Sequence, residues 1–568
     1  MKTLNLHCDH IRFKALKKAL KNIDELTSGQ QMEGESTDCL AVLVAIERGD
    51  TTESASKLVE NIIDITDQVK TKKVVLYPYA HLSKNLGKPE LAIKILDEVA
   101  KKLKGFDVVK APFGYYKSFE IKVKGHPLSE LSREIIVEGD EEAEEGLSEE
   151  EIQKLLRQIS KAKLDTSKLK DSDHRIIGKK LDLWSFNNVA PGMVFWHEKG
   201  LFIKNQLINY WRDLHRRENY KEISTPQIMD SKIWKVSGHW DKYKENNFLT
   251  DYEKRTFIAK PMNCPGGILV YKTKPKSYKD LPQRIGELGI VHRVELSGVL
   301  SGLFRVIQFT QDDAHIYCTE EQVEDEIAKV MDLTEEIINT FGLKIDHIEL
   351  STRPEKRIGT DKEWDLAEKT LEKILKKKKV KYKINKGDGA FYGAKIDYHL
   401  KDSLGRSWQC STIQFDMSLP RRFDITYVDE KGKEKRPIML HRAIYGSLER
   451  FIGIITENYN GNFPLWLSPN QVMVMNMNEE HIEFAREIYQ KLLAAGIRAE
   501  MNNKNESLGK KAREAQVQRF NYLVTIGEAE KKEKMISVRS RDSKDLKQMK
   551  VEDFIEKLKS KIKSREQL

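Results

Sequence analysis

Cysteine is scarce in this chain, and long apolar runs are absent. Five cysteines (Cys8, Cys39, Cys264, Cys318 and Cys410) in 568 residues are too few and too scattered for a disulfide framework, which points to a reducing cytoplasm. No stretch approaches the ~18–20 apolar residues of a membrane span, so no membrane partner is expected. The opening MKTLNLHCDHIRFK has neither the apolar centre nor the small-residue cleavage site of a secretory signal. No CxxC knuckle and no internal repeat is visible. What remains is a globular composition, 39% hydrophobic and 33% charged. The length is far beyond the ~250–300 residues at which one core stops growing, so several domains are expected.

The net charge of +10 is modest, but it is segregated. Residues 138–151 (EGDEEAEEGLSEEE) carry nine carboxylates and no Lys or Arg, which leaves the rest of the chain near +19. Such an excess would attract a polyanion, yet a solvated surface explains it equally well. Charge alone does not separate the two.

Residues 1–137 alternate strand and helix signals. TLNLHC and FEIKVKG have period-2 alternation, while CLAVLVAI and VVLYPYA are apolar runs of strand length. SASKLVENIIDITDQV and PELAIKILDEVAKKLKGF have helical periodicity, the second closed by Gly105. A small α/β or α+β domain follows from this order. Residues 138–180 read as an acidic exposed hinge and a helical connector. From 181 to 469 come a helix over 201–218 and many strand-like runs (RTFIAK, FRVIQFT, DAHIYC, WQCSTIQFDM, FDITYV), which point to a large, mainly antiparallel sheet. In 470–568 strands and helices alternate (QVMVMNM, IRAEM, YLVTIG, MISVRS), as in a separate three-layer α/β domain. The final VEDFIEKLKSKIKSREQL reads as an amphipathic cap.

Three features of the middle segment carry chemistry. Cys264 in KPMNCPGG, His315 in QDDAHIYC and His441 in PIMLHRAIYG could give tetrahedral zinc three ligands and leave its fourth position open. Spacing alone leaves a buried Cys and two ordinary histidines as the alternative. Arg293 and Glu295, two apart in VHRVELSG, would share one side of a strand, with Arg305 nearby. ATP would partner them through phosphate and the adenine amino group, and an internal ion-pair ladder would partner them equally well. HRAIYGSLERFIGI reads as a strand-to-helix junction with Gly446 and Ser447 at the turn. There Arg450 would sit in a helical first turn that favours anions, or on an ordinary amphipathic surface.

The strings VSGHWDKY, KPMNCPGG, VHRVELSG, GLFRVIQFTQDDAHIYCTEEQ, GAFYGAKIDYHL, WQCSTIQFDMSLP and HRAIYGSLERFIGI resemble the catalytic core of the threonyl-tRNA synthetase family, class II aminoacyl-tRNA synthetases. The resemblance runs from about Asp173 to the C-terminus. It implies Arg293 on the ATP α-phosphate, Glu295 on adenine, and Arg305 and Arg450 on a triphosphate carrying Mg2+. Gln409 and Ser447 would line the nucleotide site. It makes Cys264, His315 and His441 the ligands of one Zn2+ per subunit, with Asp313 accepting a hydrogen bond from the threonine hydroxyl. Gln311, Tyr392 and Lys395 fall in the substrate pocket, and Arg293, Arg450, His239 and Lys395 among the catalytic residues. His239 is associated with transfer to tRNA, and Pro226 with a homodimer interface.

Serine keeps both chelating groups of threonine and lacks one methyl, worth roughly 1–3 kcal/mol, so a hydrolytic second site is required. YPYAHLSKNLGKPELA and KAPFGYYKSFEIKVKGHPLSELSR resemble the archaeal-type editing domain of this family, related in fold to D-aminoacyl-tRNA deacylases. That resemblance puts His81, Tyr116, Lys117 and Glu130 around the seryl-adenosine end. The opening HCDHIRF keeps His7 and Asp9 but has Cys8 and His10 where the family carries Ser and Tyr. The C-terminal domain resembles the anticodon-binding domain, with Asn505, Glu530 and Arg539 reading bases and Lys510, Lys511, Arg513 and Arg519 meeting phosphate. Two rivals remain at this point: a synthetase-like RNA-binding protein without catalysis, and a class II enzyme for serine or proline.

Overall fold

The computed structural model describes residues 1–20, 32–83, 85–135, 149–159, 169–240, 247–543 and 545–567. The chain divides into two units, Met1–Ile152 and Gln153–Leu568. Residues 138–148 of the expected hinge lie outside the described residues. The last three acidic positions, Glu149 to Glu151, open a helix, Glu149–Ile159, where no periodicity was expected.

In the first unit, β1 (Lys2–Lys18), β2 (Glu33–Ala45), β3 (Lys73–Pro78), β4 (Asp107–Lys110), β5 (Tyr115–Val123) and β6 (Glu130–Glu134) make one sheet. Its order is β4-β3-β2-β1-β5, with β6 also paired to β1. Helices α1 (Thr52–Val69) and α2 (Pro89–Lys102) bury Leu58, Ile62, Ile95 and Val99 against Leu40, Val42, Val74 and Leu76 of the sheet. The Thr51 side chain caps α1 by accepting from Glu53 N. Helix α2 ends at Lys102, and Gly105, with φ +88°, makes the turn beyond it.

The second unit is built on an eight-stranded sheet. Its long antiparallel strands are β7 (Gln283–His292), β8 (Gln308–Cys318), β9 (Lys344–Ser351), β10 (Lys395–Lys401), β11 (Ser407–Asp416) and β12 (Ile438–Ser447), in the order β9-β10-β11-β12-β8-β7. Short parallel strands Lys383–Asn385 and Lys221–Glu222 close the two edges. Alternation assigns the faces. Ile316, Ile396, Tyr398, Ile413, Phe415 and Leu440 face a core made with helices α3 (Glu198–Arg217), α5 (Val323–Thr340), α6 (Asp361–Lys377) and α7 (Leu448–Asn458). The neighbouring positions Asp313, His315, Lys395, Asp397, Thr412, Gln414, Asp416 and His441 therefore belong to the opposite face. Helix α4 (Cys264–Lys272) packs on that side, over Ile285, Tyr317 and Met439.

Two expected strands are shorter than their apolar patterns. In FRVIQFT the chain turns tightly, Ser301 bridging Arg305, so β8 begins only at Gln308. In FDITYV only Tyr427–Val428 pair, with Glu434–Lys435. Strand β7 ends at His292, so Arg293 and Glu295 lie beyond it and share no strand face.

The C-terminal part has its own five-stranded sheet: β13 (Val472–Asn476), β14 (Ala499–Asn502), β15 (Tyr522–Ile526), β16 (Ile536–Ser540) and β17 (Leu546–Met549), ordered β14-β13-β15-β16-β17. Helices α8 (Ile482–Ala494) and α10 (Val551–Ser564) cover one face and α9 (Leu508–Val517) the other, giving three layers. Ion pairs Arg498–Glu198 at 2.6 Å and Lys199–Glu500 at 3.0 Å tie it to α3.

At the junction of β12 and α7, Gly446 has φ +79°, and a Cβ there would sit 2.4 Å from the Cys410 carbonyl oxygen. Gly446→Ala is therefore expected to destabilise the second unit by about 1–3 kcal/mol, read as a lower thermal midpoint. An unchanged midpoint would show that this turn relaxes freely.

Candidate active site

The polar sheet face gathers the three predicted metal ligands. Cys264, at the start of α4, and His315 and His441, ladder partners on β8 and β12, each offer a ligand atom within 4.8 Å of the other two. All three are buried. Tetrahedral zinc holds such atoms at ~2.0–2.3 Å and thus ~3.3–3.7 Å apart, so a small inward shift would close the set. The chemistry of the site fits a metal. His315 Nε2 is buried without a hydrogen-bond partner among the described residues. Burial pushes the Cys264 thiol well above, and the His315 imidazole well below, their ordinary pKa values. A cation would relieve both, because a thiolate and a neutral imidazole are its natural ligands. Asp416 approaches His441 Nε2 at 2.8 Å, the carboxylate support common behind a ligating imidazole.

A cavity of about 340 Å³ opens on this cluster, lined by Cys264, His441, Gln311, Asp313, Tyr392 and Lys395. Asn263 Nδ2 donates to Asp313 at 3.3 Å, and burial pushes the Asp313 carboxyl up to about 6. The Tyr392 hydroxyl donates to Gln414 at 2.7 Å. Lys395 Nζ lies 2.8 Å from Asp397 and 3.0 Å from Asp388. His239 is fully buried below the cluster. Its Nδ1 is 2.8 Å from Ser237 Oγ, its Nε2 is 4.0 Å from Cys264 Sγ, and burial holds its pKa down to about 3.

A second cavity, about 400 Å³, shares Arg293, Gln311, Thr412 and Ala443 with the first. It contains every residue predicted for the nucleotide: Arg293, Glu295, Arg305, Gln409, Ser447 and Arg450. Arg293 Nε donates to the Pro261 carbonyl at 3.1 Å and its guanidinium lies over Phe309. Arg450 donates to the Phe304 and Gln409 carbonyls at 3.0 Å each. Its backbone N–H is capped by Ser447 Oγ at 3.2 Å, so the expected strand-turn-helix holds Arg450 in the first turn of α7. Glu295 and Arg305 pair with one another at 3.0 Å. Gln409 Nε2 donates to Asp397 at 2.6 Å.

In the first unit His81 and Lys117 gather around two tyrosines. Lys117 Nζ lies 4.9 Å over the Tyr77 ring and donates to the Pro112 carbonyl at 2.9 Å, and the His81 and Tyr79 rings are 5.4 Å apart. Tyr116 is exposed, with Lys17 over its ring. Glu130 is set apart. It pairs with Leu6 and Lys117 pairs with Ala15, nine positions along β1 and on the order of 30 Å of strand. His7 Nδ1 contacts His126 at 2.8 Å and Asp9 pairs with Lys122.

In the C-terminal sheet Asn505 is exposed and Arg539 half-buried, while the Glu530 carboxylate accepts from Gly527 N and Ser537 Oγ at 2.9 and 2.6 Å. Lys511 corrects the phosphate expectation: it is 1% exposed and donates to Asn476, so it braces the fold. Lys510 pairs with Glu506, and Arg513 and Arg519 line a surface cleft.

Residues 1–135 match the archaea-specific editing domain of threonyl-tRNA synthetase, 243–459 the class II tRNA synthetase core domain (G, H, P, S and T), and 471–561 the anticodon binding domain. The structure described as the RNA binding domain of threonyl-tRNA synthetase from Cryptosporidium parvum is 40% identical, with a TM-score of 0.67, over 68% of this chain and 98% of that one. The chain belongs to the threonyl-tRNA synthetase family. A second family structure, the putative ThrRS-1 of Aeropyrum pernix, is 29% identical with a TM-score of 0.60 over 69% and 97% of the two chains. The threonine–tRNA ligase of Caldanaerobacter subterraneus is 52% identical over 69% of this chain and 61% of its own length. That of Carboxydothermus hydrogenoformans is 51% identical over 70% and 62%. The chain thus spans about three fifths of the length of these two curated relatives.

Within this family site, sequence reading missed several residues that hold the others in place: Asp416, Asn263, Asp397 and Asp312. Thr412, Gln414 and Asp416 alternate with buried Ile413 and Phe415, a polar period-2 signal that was available. Asp312 is fully buried and accepts from the N–H groups of Ile444, Tyr445 and Gly446 at 2.9–3.2 Å. Burial pushes its carboxyl up to about 7, against the pull of Arg442 and of those three N–H groups. It fixes the strand that carries His441 and leads to Ser447. Asp312→Ala should leave those N–H groups unpaired at about 1–3 kcal/mol each, and should disorder the nucleotide cavity. A lower unfolding midpoint together with weaker ATP binding is the expected result, and normal ATP affinity would contradict it.

Proposed function

We propose that this chain is an ATP-dependent threonine–tRNA ligase. In this reading it activates threonine to threonyl-adenylate, transfers it to the 3′ end of threonine tRNA, and hydrolyses mischarged seryl-tRNA in its first unit. The observation that carries the reading is the Cys264–His315–His441 triad beside Asp313, in a cavity continuous with one walled by Arg293 and Arg450.

Held by the triad, Zn2+ would supply a Lewis-acidic open position for the amine and β-hydroxyl of threonine. Asp313 accepts a hydrogen bond from the hydroxyl, and Gln311, Tyr392 and Lys395 line the pocket around the substrate. The amino-acid carboxylate then attacks the α-phosphorus and pyrophosphate leaves. Arg293 stabilises the charge that grows on the α-phosphate, while Arg450 and Arg305 grip the triphosphate with Mg2+. The Glu295–Arg305 pair gives way to adenine on Glu295 and phosphate on Arg305, with Gln409 and Ser447 lining the site. His239, which burial keeps neutral, is assigned to the transfer of the amino acid to tRNA.

The same reading assigns residues 1–137 to editing, 138–180 to the hinge and connector, 181–469 to activation and transfer, and 470–568 to the anticodon. Asn505, Glu530 and Arg539 would read its bases. A homodimer joined near Pro226 fits the exposed Ile228, Leu249 and Tyr252 of the adjoining small sheet. Five free, buried cysteines suit the cytoplasm, and among the described residues no helix is long and apolar enough to cross a membrane.

Valine has the shape of threonine without its hydroxyl and would leave Asp313 and a metal position unsatisfied, so rejection by ~10⁴-fold or more is expected. Amino-acid-dependent pyrophosphate exchange should follow threonine strongly and valine hardly at all. Cys264→Ala should lose bound zinc and threonine exchange together. Exchange with serine or proline but not threonine would overturn the assignment.

Serine escapes that selection, and its ester is left to the first unit, where His81, Tyr116 and Lys117 are assigned to the seryl-adenosine end and Glu130, nine positions away along β1, is not. Burial lowers Lys117 to about 8, so it is an ammonium at pH 7 and loses its proton as the pH rises through 8. Seryl-tRNA hydrolysis, measured relative to Lys117→Arg, should therefore fall above about pH 8. Because the folded value lies below the ordinary 10.5, the first unit should gain stability between those two values. Lys117→Ala should accumulate seryl-tRNA with threonylation intact. Unimpaired editing in that variant would remove Lys117 from the site.

A further inference from the structure

Three side chains outside the two cavities carry metal-ligand chemistry that the proposed function leaves unused. His347 and Glu349 on β9 and His399 on β10 each offer a ligand atom within 4.8 Å of the other two. The two histidines are ladder partners, and their rings stack 4.3 Å apart with 12° between the planes. Glu349 reaches both: Oε1 is 3.2 Å from His347 Nε2, and Oε2 is 3.5 Å from His399 Nε2. Two imidazole nitrogens and a carboxylate thus converge on one point.

The surroundings hold this set in place. Asp346 Oδ2 lies 2.8 Å from His347 Nδ1, which directs Nε2 inward, and Asn385 Nδ2 donates to Glu349 Oε2 at 2.9 Å. A carboxylate behind a ligating imidazole is the arrangement that also supports His441 through Asp416. The backbone contributes a bulge. The ladder between β9 and β10 shifts between Ile345 and His347, leaving Asp346 as the extra residue. Such a bulge re-aims side chains. Here it turns Asp346 toward Lys401, 3.6 Å away, and His347 onto His399.

Charge separates this cluster from the other carboxylate–histidine group of the fold. Around buried Asp173, His174 and Glu457, Arg175 and Arg406 already neutralise the acids, and His174 Nε2 accepts from Leu303 N. Glu349 has no Lys or Arg ion-pair partner among the described residues, only the two histidines. The three side chains are 18–21% exposed, enough for an ion to enter from solvent and keep water in its remaining positions.

We propose that His347, Glu349 and His399 form a divalent-metal site, separate from the cysteine-containing one, for a transition ion that takes imidazole and carboxylate ligands, such as Zn2+ or Ni2+. It lies on the polar sheet face beside the nucleotide cavity, because His399 is the ladder partner of Gln409. No step of the proposed reaction requires it.

The test is metal stoichiometry on the full chain, stripped with a chelator and dialysed against graded Zn2+. The wild-type chain should hold two equivalents, His399→Gln and Glu349→Gln one each, and Cys264→Ala the other one. Asp346→Asn should keep the second equivalent but bind it ~10–100-fold more weakly. In the Cys264→Ala chain Zn2+ should raise the thermal midpoint, and adding His399→Gln should abolish that rise. One equivalent in the wild-type chain that His399→Gln retains, or two in His399→Gln, overturns the site. Persistence of both equivalents in Cys264→Ala counts against the catalytic zinc and leaves this site standing.

Discussion

A thiol and two imidazoles are sealed against a sheet, and one of their ring nitrogens, His315 Nε2, has no hydrogen-bond partner among the described residues. Burying polar atoms without partners costs free energy, and native folds keep few of them. Here the orphaned His315 Nε2 and the fully buried Cys264 lie at one point, backed by Asp416 and faced by Asp313. Four elements meet to make it, α4, β8, β11 and β12; the three strands also wall both cavities, and α4 the first. The unsatisfied cluster is therefore the feature around which the second unit is organised. A metal bound there would convert a destabilising burial into a binding position.

The sheet makes this possible by keeping its two faces chemically separate. Alternate residues of β8, β10, β11 and β12 enter a large apolar core with four helices, and the residues between them supply His315, His441, Asp313, Lys395 and Asp416 to the polar face. A one-residue slip would exchange the faces, so register is the specificity device. Asp312 pins one such register through three backbone N–H groups, and Gly446 allows the chain to leave β12 directly into the anion-favouring first turn of α7.

What could be read in advance was local. The turn at Gly446 and Ser447, the helices of the first unit and the alternating C-terminal order follow from patterns a few residues long, and the structure has them. The joining of residues 264, 315 and 441 did not follow from spacing. It came from resemblance to a family whose strings stand in the same order. Arg293 and Glu295 were given a strand face because their spacing was right, yet β7 ends one residue earlier and both reach the nucleotide cavity from a loop. Lys511 stands among basic neighbours, Lys510, Arg513 and Arg519, that as a group suggest phosphate contacts. Its ammonium instead satisfies Asn476 inside the α9 packing, a long-range contact no local pattern encodes. Glu130 is set apart from Lys117 by the register of two strands on β1, which sequence proximity hides.

The energetics of the proposed selection account for the division of the chain. A chelating site separates threonine from valine because the missing hydroxyl strands buried polar groups. It separates threonine from serine by only one methyl, about 1–3 kcal/mol. No refinement of the 340 Å³ cavity removes that limit, since serine fits wherever threonine does. Accuracy then has to come from a different surface that acts after transfer, one that admits the smaller ester and has a charge of its own to stabilise an oxyanion. The first unit has the properties such a surface needs: a core independent of the synthetic sheet, and a lysine whose ammonium is partly desolvated among Tyr77 and the Pro112 carbonyl. In the proposed reading, placing the two sieves on separate cores would let each keep the polarity its chemistry demands.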